Sequence, residues 1–335
     1  MPQPKFIADA FGVLTIISLA ILIVLGVLSI AYSLYLRSRI RSHQLKFFTS
    51  PWLIRITFIL LAIFWCVAEF LRLSLLRRKG KPINHLSSKW QEGICKGYIV
   101  SNLGFMEPSL FLTLLFLLRA PLQNITTGIL NPHWTRKTHF ILLLSATPIF
   151  LLHLITINYD QRSLFHHHLP LKFTRSSTRS NGVSLCTYPL LNTILSGILV
   201  SILTAYLLWI GRMILKRVIN KVLQRRVYFL IVSIGCLFPM RVALIGLSAM
   251  SEPDSVVYEV AVFVGCLCLV WGVGICIWVL VYCPVADALS LGGEGSEVIS
   301  LVGESDNRES ISFRTYDRSS FVELGLFTPS HHSAF

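Results

Sequence analysis

Seven long apolar runs decide what this chain can fold into. They occupy residues 11–36, 53–76, 97–118, 140–158, 190–214, 227–250 and 256–282. An α-helix rises about 1.5 Å per residue, so about 20 apolar residues cross the hydrocarbon core of a bilayer. Residues 140–158 form the shortest run. Within a bilayer every backbone N–H and C=O must bond inside the protein, so the runs read as helices. The expected fold class is all-α integral membrane, a seven-transmembrane helix bundle. Composition agrees. Apolar types make up 54% of the 335 residues and charged types 14%, too few to cover a soluble globule of this size. The same figures exclude a disordered chain. The first run reads as a span rather than a cleaved leader. Only Lys5 precedes it, Asp9 cancels that charge, and the run is too long for a signal core.

The charge is divided along the chain. Residues 283–335 hold eight acids and three bases, a net −5, which leaves +19 on residues 1–282 of the total +14. Basic excess at the ends of spans sets orientation and meets anionic headgroups, so no nucleic-acid partner is expected. The loops on the side of loops one, three and five carry fourteen Lys and Arg, and the other side carries eleven. That majority places the N-terminus outside and the C-terminus inside, although the cluster Arg77, Arg78, Lys79 and Lys81 argues the other way. Three regions follow: a short outer N-terminus (1–10), the membrane domain (11–282) and a disordered, acidic cytosolic tail (283–335). A multi-pass protein of the plasma membrane, rather than an endomembrane, is expected.

Of eight cysteines, only Cys95 and Cys186 lie in loops, and both fall on the expected outer side. A disulfide between them is expected in an oxidising compartment. The alternative is two thiols that share a side. Cys283 stands just after the last span, where palmitoylation would place a lipid. The sequon at Asn124 falls on the expected inner side, out of reach of glycosylation.

Charges inside spans are costly and face a partner or a watery cavity. Glu107 and Arg241 each lie nine or ten residues below the outer end of their spans, at about 15 Å depth. They can neutralise one another. Glu69 and Arg72 stand three apart on one helix face. His153 and Glu259 lie toward the outer ends of spans four and seven. A ligand pocket built by Glu69, Arg72, Glu107, His153, Arg241 and Glu259 is therefore expected in the outer half of the bundle. The alternative is a buried ion pair that fixes packing and binds nothing. Pro108, Pro148 and Pro239 lie inside spans three, four and six, where proline tends to kink a helix.

At the other end, Arg212, Lys216, Arg217, Lys221, Arg225 and Arg226 alternate with apolar residues. They read as span five continuing as a basic amphipathic helix, a contact for anionic lipid or a cytosolic partner. Plain orientation by positive charge is the other explanation. His166, His167 and His168 read as a solvated loop, since three adjacent histidines cannot all face one metal from a regular helix or strand. No metalloprotease, nucleophile-elbow or phosphate-loop motif occurs, so no enzyme, metal or cofactor is expected.

Seven spans, a bridge from span three to the second outer loop and a Ser-rich tail resemble the layout of G-protein-coupled receptors. Local motifs depart from the main class. Span three ends Leu117-Leu118-Arg119-Ala120-Pro121 rather than in a DRY-type sequence, and span seven has no NPxxY. The sequence is more similar to a small plant family of seven-span candidate G-protein-coupled receptors. The stretches that carry this are SPWLIRIT from Ser50, YIVSNLGFMEPSLFLTLLFLLRAPL from Tyr98, LCTYPLL from Leu185 and SFRT from Ser312. The resemblance covers most of the chain and implies a receptor role, without ligand or catalytic residues to carry over. The expected function is a receptor-like signalling protein with an unknown ligand and a heterotrimeric G-protein α subunit as partner. A transporter or channel that uses the buried charges as a substrate or proton path is one alternative. A membrane scaffold that recruits partners is another.

Overall fold

A computed structural model describes residues 3–39, 50–73, 88–127, 132–159, 177–180, 183–218, 221–252 and 255–283. The three histidines 166–168 and the tail beyond Cys283 lie outside the described residues, as does the cluster 77–81. The elements are α1 (Gln3–Arg39), α2 (Ser50–Arg72), α3 (Ser88–Ile99), a π-helical turn (Val100–Met106) and α4 (Glu107–Thr127). They continue with α5 (Pro132–Tyr159), strands β1 (Ser177–Ser180) and β2 (Val183–Cys186), α6 (Leu190–Arg217), α7 (Lys221–Met250) and α8 (Val256–Ile277). A second π turn, Trp278–Tyr282, ends the series.

Among the described residues, seven helical segments are long and apolar enough to cross a membrane: Asp9–Tyr35, Leu53–Arg72, Trp90–Arg119, Phe140–Asn158, Leu190–Arg217, Lys221–Met250 and Val256–Tyr282. Each overlaps one of the seven apolar runs. Span three is a composite of α3, the π turn and α4. It lies at the centre, with 72% of its apolar window buried, against 22% for spans one and four. The outward faces carry Leu28, Phe64, Phe140, Ile202, Trp209 and Trp271, all exposed. A bilayer would cover them, because lipid tails are as apolar as these side chains.

The first π turn has a local cause. Pro108 has no N–H, and in an α-helix its ring presses on the carbonyl four residues back, that of Gly104. The chain widens just before it, and the Glu107 N–H bonds to the Asn102 carbonyl five residues back. The side chains five apart, Asn102 and Glu107, would diverge by about 140° in a plain α-helix. In the wider turn both serve one polar cluster. Pro148 and Pro239 lie within α5 and α7, which continue through them as single helices.

Close approach of spans five and six depends on Gly211. A Cβ there would stand 2.6 Å from Ile231 Cδ1. Around this contact the half of the bundle nearer Arg217 is aliphatic, with Leu207, Ile210, Ile214, Leu230 and Ile234 buried together. The expected continuous basic helix is interrupted. Helix α6 stops at Arg217, Val218 takes an extended conformation and is itself buried, and α7 begins at Lys221. The six bases therefore sit on the ends of two helices. Arg212, Lys216, Arg217, Lys221 and Arg225 are exposed and Arg226 is partly buried.

Candidate functional site

At the opposite end of the bundle, Cys95 of α3 and Cys186 of β2 form a disulfide with Cα atoms 5.3 Å apart. Strand β2 pairs antiparallel with β1, Cys186 opposite Ser177. The disulfide fastens this small sheet over the buried charges. A second tie lies beside it. Tyr98, one helical turn beyond Cys95, and Tyr188, two residues beyond Cys186, bring their hydroxyls to 2.8 Å. A third runs to span seven, where the Tyr258 hydroxyl donates to the Cys186 carbonyl at 2.8 Å. Burial holds the Tyr188 phenol above its ordinary range.

Below this cap lies a charge network. Glu69 is fully buried. Its Oε2 accepts from Arg72 Nε at 2.8 Å. Its Oε1 accepts from the Tyr98 hydroxyl and from Asn102 Nδ2, each at 2.9 Å, and from Arg241 Nη2 at 3.4 Å. The Tyr98 proton is thereby committed to the carboxylate. The Tyr98 oxygen accepts from Asn102 Nδ2 at 2.9 Å, and Tyr188 is the donor of the tyrosine pair.

Arg241 joins Glu69 to Glu107. Its Nε donates to Glu107 Oε1 at 3.1 Å, and Nη2 donates to the same oxygen. Its Nη1 donates to the Gly265 carbonyl at 2.9 Å. Its Cζ lies 5.3 Å from the centre of the Trp65 ring, a cation–π contact. Two acids and two bases thus form a neutral set drawn from spans two, three and six, with span seven contributing a backbone carbonyl. Neutrality matters at this depth, since breaking one buried pair leaves an uncompensated charge.

The structure gathers four of the six expected pocket residues, Glu69, Arg72, Glu107 and Arg241, in direct contact. Glu259 lines a small cleft beside them, with Arg72, Thr15, Cys186, Tyr258 and Phe263. The cleft has about 30 Å³ of room, enough for a water or two. His153 stands apart from the network. It is fully buried, and its ring packs where a Cβ on Gly104 would lie 3.0 Å from its own Cβ. Among the described residues, neither ring nitrogen has a hydrogen-bond partner.

Tyr98, Asn102, Tyr188, Trp65 and the Gly265 carbonyl belong to the cluster and were not among the residues expected from sequence. They carry no formal charge. Of these, Asn102 lies in the π turn, and Pro108, which provokes that turn, is the sequence signal that points to it. Among the described residues, no three His, Cys, Asp or Glu side chains group as metal ligands.

The family model described as Uncharacterised conserved protein UCP031277 matches residues 1–298, and the chain belongs to that family. Comparison with curated proteins and with solved structures finds no match.

Proposed function

We propose that this member of the family is a receptor-like multi-pass signalling protein, a candidate G-protein-coupled receptor of the plant type. The disulfide and N-terminus face outside the cell, and the acidic tail and the Arg212–Arg226 bases face the cytosol. The observation that carries the reading is the position of Arg241. It is held at once by Glu69 of span two, Glu107 of span three and the Gly265 carbonyl of span seven. A ligand that disturbs one of these contacts alters the packing of four spans together. It does so only by binding one arrangement better than the other. Cys283, partly buried at the end of span seven, is the proposed lipidation site. The plasma membrane is the proposed location, and no catalytic role or cofactor is assigned.

The test is affinity recovery of the tagged full chain from native membranes. It is compared with a variant in which Arg212, Lys216, Arg217, Lys221, Arg225 and Arg226 are changed to Gln. Recovery of a heterotrimeric G-protein α subunit with the wild type and not with the variant supports the reading. Recovery with neither overturns it.

A second reading, a proton-linked transporter, draws on the hydrogen-bonded file from Tyr188 through Tyr98 to Glu69. Proton flux in proteoliposomes that contain only this protein would establish it. The scaffold reading would hold if Glu69→Gln and Glu107→Gln variants recruited partners as the wild type does.

A further inference from the structure

The end of the bundle away from the disulfide is basic without local compensation. The side of loops one, three and five holds fourteen Lys and Arg, and those loops contain no Asp or Glu. The contact between spans three and five narrows what could balance them. Arg119, exposed at the end of span three, donates from Nη1 to the Tyr206 hydroxyl at 3.2 Å. That partner is neutral, and the guanidinium keeps its Nε and Nη2 donors beyond it. The Tyr206 oxygen accepts from Arg119, so its own proton turns elsewhere, and among the described residues none accepts it. The Tyr206 ring stacks on Trp209, with ring centres 5.7 Å apart. Trp209 is 56% exposed. Arg212 and Lys216 stand three and seven residues beyond Trp209, on the same face of α6, and both are exposed.

Depth places this cluster. Trp209 lies nineteen residues beyond Leu190, about 28 Å along α6. The hydrocarbon core of a bilayer is about 30 Å thick, so the aromatic pair sits where lipid esters and phosphates begin. Trp and Tyr favour that level. In the orientation proposed above it belongs to the cytoplasmic leaflet, which carries anionic lipid. Arg119, Tyr206, Arg212 and Lys216 thus present several donors and three positive charges around an apolar aromatic face. The complement is a negative group rich in acceptors and joined to an apolar body. A phosphate on a lipid is such a group, and a guanidinium binds it through two parallel N–H bonds.

We infer that the membrane-facing seam of spans three and five binds the headgroup of an anionic phospholipid. Its phosphate sits on Arg119 and the Tyr206 hydroxyl, its glycerol shoulder lies against Trp209, and Arg212 and Lys216 face its remaining negative charge. The acidic tail is the competing occupant. It leaves from span seven, which packs on spans one and six, whereas span five packs on spans three, four and six. Lipid meets the seam directly. The inference needs only that the spans cross a bilayer, not that the protein is a receptor. Arg119 lies outside the six bases altered in the G-protein experiment, so the two ideas can fail separately.

The experiment is native mass spectrometry of the detergent-purified full chain, titrated with phosphatidic acid, with phosphatidylcholine and with soluble glycerol 3-phosphate. One phosphatidic acid should bind saturably, and phosphatidylcholine and glycerol 3-phosphate should bind at least tenfold more weakly. Arg119→Gln removes a charged hydrogen-bond donor and should weaken phosphatidic acid roughly tenfold or more. Tyr206→Phe removes one neutral donor and should weaken it roughly two- to tenfold. Arg119→Lys should recover only part of the Arg119→Gln loss, because the charge returns without the fork. Lys221→Gln, a base of span six at the same end, should leave binding unchanged. Arg119 is exposed, so these variants should fold, which unchanged Tm values would establish. Equal binding of phosphatidylcholine overturns the inference, as does equal binding of glycerol 3-phosphate, which would make the ligand a free phosphate. A loss in Lys221→Gln as large as in Arg119→Gln overturns it too, since the attraction would then be diffuse. So does a tenfold gain in lipid binding when the Asp and Glu of residues 283–335 are changed to Asn and Gln, which would assign the seam to the tail.

Discussion

The two halves of the bundle are held together by different physics. Near the disulfide, contacts are directional. Glu69 accepts from four side chains, Arg241 spans two carboxylates and a carbonyl, and Tyr98 and Tyr188 close the cap. Toward Arg217, contacts are non-directional. Leu207, Ile210, Leu230, Ile231 and Ile234 fill space between spans five and six, and Gly211 lets the helices approach. A directional cluster accepts one arrangement, because a donor moved by an ångström is a donor lost. An aliphatic layer accepts many substitutions of similar volume. The polar half and the aliphatic half are thus distinguishable by their response to mutation.

Removing a single charge should separate them most sharply. Arg241→Gln leaves Glu107 buried without its cation, at a cost of about 3–5 kcal/mol. Replacing Glu107 and Arg241 together by Leu and Met should restore much of that stability. A double variant as unstable as the sum of the singles would show that the pair is not coupled. Cys95→Ser with Cys186→Ser should cost about 2–5 kcal/mol, read by thermal unfolding with and without a reductant. Wild type and variant should coincide once the reductant is present.

In the aliphatic half the effects should be smaller and repairable by volume alone. Gly211→Ala places a methyl against Ile231 and should cost about 1–3 kcal/mol. Adding Ile231→Val, which removes the atom nearest the clash, should recover most of it. Failure of that rescue would mean that the helix backbones themselves set the spacing. Tyr188→Phe should have the least effect, about 0.5–1.5 kcal/mol, because Asn102 still donates to the Tyr98 oxygen. It also carries a pH signature. The phenol is raised above its ordinary 10.0 in the folded state, chiefly by burial. The stability it lends is complete below pH 10, then falls as pH rises and the unfolded chain loses a proton that the folded one keeps. Tyr188→Phe should remove part of that alkaline loss in unfolding curves taken at pH 8 and pH 11.

Much of this contrast is legible in the residues. Seven apolar runs locate seven spans. Residue counting puts Glu107 and Arg241 at one depth, and they meet. Helical spacing puts Glu69 beside Arg72, and they pair. The neutral members are harder to read. Tyr98, Asn102 and Tyr188 are ordinary residues in sequence, and only the fold makes Tyr98 and Asn102 donors to a buried carboxylate and Tyr188 the partner of Tyr98. Val218 teaches the same point at the other end. The apolar-basic alternation continues through it, and the break there comes with burial of its side chain, a tertiary effect. His153 was expected with the acids because of its depth. Its position along α5 instead turns it toward Gly104.

A π turn contains one residue more than the α turn it replaces. Span three is therefore an odd-length object, and its count matters apart from its chemistry. If the turn closed to regular pitch with no residue removed, everything before it would rotate by about 100°. Cys95 would then turn from Cys186, and Tyr98 and Asn102 from Glu69, with every one of those side chains still present. Deleting one residue from Leu103 to Met106 would instead close the turn in register, since Asn102 and Glu107 would then stand four apart, about 40° from one another around the helix.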